Sequence, residues 1–335
     1  MIDWQYFKLR PEIKNLPLLE QRRAFLQHQL QYDRFLTEAT FMQQQMQAQS
    51  AASAGGGKNS SSPTPSIPLL LDTYPGAAAA YSVRRLSNTY TGNLIRVTKK
   101  VSSVISEIDI KYNSSNELDT TALAAFASGA DGGDVRVVTW YDQSGNSNNV
   151  SQSTYGSCPK IYDDGSLQAS NGKPAIRTAG NQWLQTNNQP LSSIQQSGFF
   201  VGEPISKSSY HTILGHGNYN IFWWNTANQI GIRMISRDTD SRIYAGDFVV
   251  GSSSLLSYYN NSSTFFLRQD GSQIGSRSIA LSSYGNKDMF IGNVESGNVN
   301  NIFNGYNQEH IVFPSEQSSN LTGIETNINN YYSIY

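Results

Sequence analysis

A mainly β fold, an antiparallel sandwich preceded by an N-terminal helical extension, is what this sequence predicts, and three observations carry it. Short alternating runs recur through the C-terminal two thirds, among them Val135-Arg-Val-Val-Thr-Trp-Tyr141, Ile230-Gly-Ile-Arg-Met-Ile235 and Ser263-Thr-Phe-Phe-Leu-Arg268, parted by Gly, Asn, Asp and Ser clusters. Such alternation puts one face of each strand inward and the other outward. From Leu18 to about Ser53 there is neither Gly nor Pro, and apolar residues recur at helical steps. Between these regions lies Ala54-Gly-Gly-Gly-Lys-Asn-Ser-Ser-Ser-Pro-Thr-Pro-Ser66, a flexible and then extended linker by composition.

The elements follow in order. Residues 1–17 carry Trp4, Tyr6 and Phe7 but are interrupted by Pro11 and Pro17, so they read as an apolar docking peptide rather than a helix. Leu19, Phe25, Leu26 and Leu30 begin a narrow stripe on a long amphipathic helix, expected to bury against another chain. Packing of the same stripe back onto the β domain is the alternative. The domain boundaries are therefore 1–53, 54–66 and 67–335. Residues 67–80 read as a first strand and turn, and Asp119 as the N-cap of a short helix ending near Ser128-Gly129. Asp270-Gly271 marks a hairpin turn, and Asp288 to Asn293 a further strand. Leu321, Ile324, Ile328 and Tyr331 form one stripe of a closing helix. No repeat of ~20–50 residues points to a solenoid or propeller.

Composition narrows the partners. With 24 basic and 25 acidic residues among 335, no clustered basic face for nucleic acid is expected. No run approaches the ~18 apolar residues of a membrane span, and the first ten residues lack the pattern of an export signal. The single cysteine, Cys158, permits no intrachain disulfide, although the Ser-, Asn-, Tyr- and Gly-rich chain looks like one exposed to the medium. A virion protein made in a host bacterial cytoplasm and displayed on the particle surface satisfies both observations.

Four segments act together: Tyr81-Ser-Val-Arg-Arg-Leu86, Asp119-Thr-Thr-Ala-Leu-Ala-Ala-Phe126, Val138-Thr-Trp-Tyr-Asp-Gln-Ser-Gly-Asn146 and Asn171-Gly-Lys-Pro-Ala-Ile176. In this order and spacing they resemble the catalytic module of the family-54 α-L-arabinofuranosidases and its relatives in bacteriophage structural proteins. The resemblance runs from about Tyr81 to Tyr335 and implies a concanavalin-A-like jelly-roll sandwich. It also implies where catalytic groups would lie. The family's nucleophile is a Glu following a vicinal cysteine pair, and its acid/base is an Asp after an Ile-Gly-Gly strand end. His211 to Asn225 contains neither a cysteine pair nor an acid, and Val294 stands where that Asp would be, with Glu295 displaced by one position. Retaining hydrolysis needs two carboxylates about 5 Å apart, so the expectation is that the chain is not an enzyme.

Asp142 is read as a turn-former rather than a catalytic acid, its short carboxylate suited to bonding nearby amides while Gly145 supplies a positive φ. His211 and His216 lack companions for zinc. Asp131, Asp134, Asp163, Asp164, Asp238 and Asp240 offer oxygen ligands for calcium, but Asp-Gly pairs in such a chain are ordinarily turns, so no cofactor is expected. Tyr219, Trp223 and Trp224, beside Asn218 and Asn225, form the candidate carbohydrate platform, since ring stacking with amide hydrogen bonds suits a sugar; burial in a core or an oligomer contact is the competing reading. The function expected is a bacteriophage appendage or decoration protein, fixed to other virion proteins through residues 1–53 and adhering weakly to cell-surface glycans. A ligand-free scaffold is the alternative, and an arabinofuranosidase the third. Self-association through the helix, as dimer or trimer, stays open alongside docking onto an unlike protein.

Overall fold

The computed structural model describes Pro17 and residues 68–335, apart from positions 187, 189, 192–194, 207–210, 217–218, 225–229, 234–241, 262, 279–287 and 294–301. Apart from Pro17, all belong to the second of the two units into which the chain divides, Met1–Pro65 and Ser66–Tyr335. Trp4, Tyr6, Phe7, Leu19, Phe25, Leu26 and Leu30, expected to anchor the chain, lie outside the described residues, as does the linker.

The strand ladders are antiparallel and form two arrays. In the first, Ser272–Ser278, Thr264–Gln269, Ser254–Asn260, Gln196–Pro204 and Gly305–Phe313 lie side by side in that order, and the last pairs along its other edge with Ala79–Ser82 and Ile176–Thr178. In the second, Val104–Ile110, Ile95–Val101, Val135–Trp140, Val150–Ser151, Leu184–Thr186, Met289–Ile291, His211–His216, Tyr219–Trp224, Ile230–Arg233 and Arg242–Ala245 follow one another. Lys160–Asp163 joins the arrays, pairing with both Ile176–Thr178 and Val135–Trp140.

Their inner faces meet in one core. Trp140 of the second array lies 6.0 Å from the Tyr81 ring and 5.6 Å from the His310 ring of the first, and Phe200 stands 4.7 Å from His310. Aromatic rings bury much apolar area each and prefer such tilted and edge-on contacts to a flat sandwich. The result is the expected mainly β sandwich.

Local chemistry explains the elements. Asp119 accepts the Ala122 N–H at 2.9 Å and starts the helix Thr120–Ala127. The turn residues Asp270 and Gly271 take φ of 49° and 75°, both left-handed, which suits a two-residue hairpin. Ser102 and Ser103 do the same at 49° and 69° between Ile95–Val101 and Val104–Ile110.

Two expectations need correction. Residues 67–80 do not open with a strand: Leu70–Thr73 is a helical turn, and the strand begins at Ala79. The Asp72 carboxylate accepts the Leu69 N–H at 2.9 Å and the Ser87 hydroxyl at 2.7 Å, curling the chain there while Leu70 and Leu71 are buried. In the closing helix, Leu321–Tyr332, it is Tyr332, not Tyr331, that completes the buried stripe of Leu321, Ile324 and Ile328. The i+4 step from Ile328 falls on Tyr332, leaving Tyr331 at the border with the Arg84 guanidinium 4.7 Å above its ring. No described helix is long and apolar enough to cross a membrane.

Candidate functional site

The Trp140 to Asn149 region organises the fold. Asp142 is buried, and its Oδ1 accepts the N–H groups of Ala80 at 2.8 Å and Ser144 at 2.9 Å. Its Oδ2 accepts the Ser144 hydroxyl at 2.7 Å and the Asn148 N–H at 2.9 Å. Gln143 accepts the Leu86 N–H at 2.8 Å and donates to the Arg84 carbonyl at 2.9 Å, while Asn146 and Asn148 donate to the carbonyls of Ala77 and Ala78 at 2.9 and 2.7 Å. The Trp140 indole donates to the Ser82 carbonyl at 3.2 Å, and the Tyr81 hydroxyl to that of Asn148. Gly145 takes a φ of 90°. Both Asp142 oxygens are thus committed to holding the turn against the 79–82 strand, as the turn reading expects. The Asn171-Gly172 turn acts likewise: Asn171 and Gly172 have φ of 48° and 74°, and the Asn171 amide donates to the Ser333 carbonyl at 3.1 Å.

A different region concentrates the residues singled out for sugar chemistry. His211–His216 runs between Tyr219–Trp224 on one side and Met289–Ile291 on the other. Trp224 is paired with His211, Trp223 with Thr212 and Tyr219 with His216; His216 is also paired with Met289, and Leu214 with Ile291. The sheet therefore brings together the two segments in which the resemblance would put catalytic carboxylates. Asn218, Asn225, Val294 and Glu295 lie outside the described residues.

Asp288, which sequence reasoning passed over as a strand start, is a described carboxylate in this strip. It immediately precedes Met289 and accepts the Gln185 amide at 2.9 Å from the neighbouring 184–186 strand. Its signal in the sequence is slight, because its place beside Gln185 depends on a pairing between strands about a hundred residues apart.

His211 and His216 are held apart by the strand that carries them. His211 and His216 stand at opposite ends of one six-residue strand, about 17 Å apart at ~3.3 Å per residue. The His211 ring is buried, its Nδ1 lies 2.5 Å from the Ile302 carbonyl oxygen, and burial lowers its pKa. Among the acids weighed for calcium, Asp131 accepts the Ser102 N–H at 3.1 Å, Asp134 pairs with Arg136 and Lys160 at 3.0 and 2.8 Å, and Asp163 pairs with Lys160 and Arg177 at 2.6 and 2.5 Å. Asp164 occupies a turn at φ 51°, and Asp238 and Asp240 lie outside the described residues. Among the described residues no three His, Cys, Asp or Glu side chains gather as a metal site would require.

No family model matches the chain, and no curated protein sequence does. Solved structures do. A GH54 α-L-arabinofuranosidase soaked with a cyclic sulfate inhibitor superposes with a TM-score of 0.54 at 13% identity, over 75% of this chain and 62% of that one. An arabinofuranosidase complexed with arabinofuranosyl-α-1,2-xylobiose gives 0.51, and a mutant GH54 enzyme soaked with 4-nitrophenyl α-L-arabinofuranoside gives 0.52, at the same identity and coverage. The chain thus spans under two thirds of the length of these enzymes, and at this identity the likeness is one of fold.

That likeness corrects one expectation. The conclusion that the chain is not an enzyme is overturned, because the structures it superposes on over three quarters of its length are glycoside hydrolases. The physical reason is that a carboxylate pair is defined by separation in space. Comparing linear positions passed over Asp288, which immediately precedes Met289 at the edge of the same strip.

Proposed function

We propose that the sandwich recognises carbohydrate, and that the chain is a bacteriophage virion appendage or decoration protein. Residues 1–53 fix it to other virion proteins, and the β domain is displayed outward toward cell-surface glycans. The observation carrying this reading is the strip in which Tyr219–Trp224, with Trp223 and Trp224 at its end, lies against His211–His216 and, across it, Met289–Ile291. The fold is shared with structures determined with an arabinose-bearing oligosaccharide and an aryl arabinofuranoside. Weak single sites suit such a role, since many copies on one particle convert them to avidity.

Retention of the protein on immobilised polysaccharides tests the reading. Intact chain clustered on beads is retained, and Trp223→Ala or Trp224→Ala releases it; equal retention of both variants overturns the assignment to this strip. Deleting residues 1–53 leaves a folded β domain that no longer enters particles, and continued incorporation refutes the anchor.

Glycoside hydrolysis is the second reading, favoured by the superposition on arabinofuranosidases and by Asp288 in the strip. Release of nitrophenol from an aryl α-L-arabinofuranoside, abolished by Asp288→Asn or Glu295→Gln, supports it.

A further inference from the structure

Two of the three buried carboxylates among the described residues have a cation, and the third, Asp142, is filled by four donors. Glu309 has Arg84 at 2.9 Å, and Glu325 has Arg268 at 2.8 Å. Glu203, half-buried at the end of Gln196–Pro204, has none among the described residues. Among the described residues its one side-chain partner is Ser170, whose hydroxyl donates to Oε2 at 2.7 Å and lies 2.5 Å from the Ser253 hydroxyl oxygen. Among the described residues no donor meets its Oε1. It lines a cleft of about 200 Å³ with Asn171, Gly251, Ser252, Ser253 and Ser333, where Ile334 is the one large apolar side chain.

The cleft walls are held in place. The Gly251 N–H donates to the Pro204 carbonyl at 2.9 Å, the Ser252 N–H to Val249 at 3.1 Å, and the Asn171 amide to Ser333 at 3.1 Å. The loop supplying Gly251 to Ser253 also exposes Val249 and Val250, at 50% and 45% of their surface. A preformed concavity loses little on binding. Its contents select the ligand: an ionised carboxylate accepts only, serine hydroxyls donate and accept, and Ile334 supplies the apolar contact.

We propose that this cleft binds one ring of a neutral glycan, with a pair of adjacent sugar hydroxyls donating to Glu203. The volume lies below the ~300–1,000 Å³ of sites for larger ligands, so it admits a single sugar unit. The proposal rests on the carbohydrate reading above and names a second contact for it, built from one strand end and three other segments rather than from the Trp223 strip. No motif in the sequence announces it, because Asn171, Glu203, Ser252 and Ser333 are far apart along the chain.

Saturation-transfer NMR on the full chain with L-arabinose, D-galactose, D-glucose and D-mannose tests it. At least one sugar receives saturation. Glu203→Ala weakens that sugar at least about tenfold, the order expected on losing hydrogen bonds to a charged acceptor. Ser252→Trp, a change at an exposed cleft residue, abolishes its binding, and this second variant, checked for folding by circular dichroism, decides the matter should Glu203→Ala fail to fold. If a sugar binds the intact chain and both variants equally well, the cleft assignment is overturned while the carbohydrate reading stands. If no sugar binds and the chain is not retained on polysaccharide, both are overturned.

Discussion

Asp142 holds the main-chain N–H of Ala80 at 2.8 Å across 62 positions of sequence, and with its second oxygen it fastens the turn that follows it. A carboxylate next to Trp140 and Tyr141 invites a catalytic role, yet four donors already occupy it. Its work is to join the 135–140 and 79–82 strands, one from each layer. Asp142→Ala leaves several buried donors unmatched and is expected to cost about 3 kcal/mol or more. Asn at the same place keeps one acceptor oxygen and costs less. Chemical denaturation of both variants checks the order; equal stability of wild type and Asp142→Ala contradicts it.

Glu309 gathers three elements. It accepts both arms of Arg84 at 2.9 and 3.0 Å, the Ser82 hydroxyl at 2.7 Å and the Tyr332 hydroxyl at 3.2 Å, tying the closing helix to two strands. Glu309→Leu strands a buried guanidinium and is expected to destabilise by about 3–5 kcal/mol, whereas Arg84→Met with Glu309→Leu recovers most of that loss. A double-mutant cycle in urea measures the difference. Additive losses contradict the pairing.

How far this was legible in the sequence depends on the range of the interaction. Asp119 as a cap, Asp270-Gly271 as a turn and Leu321, Ile324 and Ile328 as a helical stripe depend on neighbours a few residues away, and the pattern shows them. The curl at Leu70–Thr73 depends on Asp72 meeting Ser87 and Asn88, which no periodicity reveals. For the site, the aromatic strand was legible by composition. Asp288 was not, since Gln185 reaches it through a sheet pairing, and Glu203 was not, since four separate parts of the chain form its cleft.

His310 makes the fold sensitive to acid. Burial against Trp140 and Phe200 lowers its pKa from 6.5 to about 3. The unfolded chain therefore takes up a proton below about pH 6.5 that the folded chain refuses, and stability falls as pH drops from there toward 3, by at most about 1.4 kcal/mol per unit. His211, also lowered by burial, adds in the same direction. Asp72, Asp109 and Asp163, whose values lie below 3.8, add losses only at lower pH. His310→Leu is expected to flatten the stability profile between pH 6.5 and 4, measured by urea unfolding across that range. An unchanged slope contradicts a neutral buried imidazole.

Carbohydrate recognition by the sandwich is tested most directly by a glycan array probed with the intact chain clustered on a fluorescent carrier. Binding to at least one glycan, competed away by the free sugar, is the predicted result. Uniform background across the array, from protein shown to be folded, would contradict it.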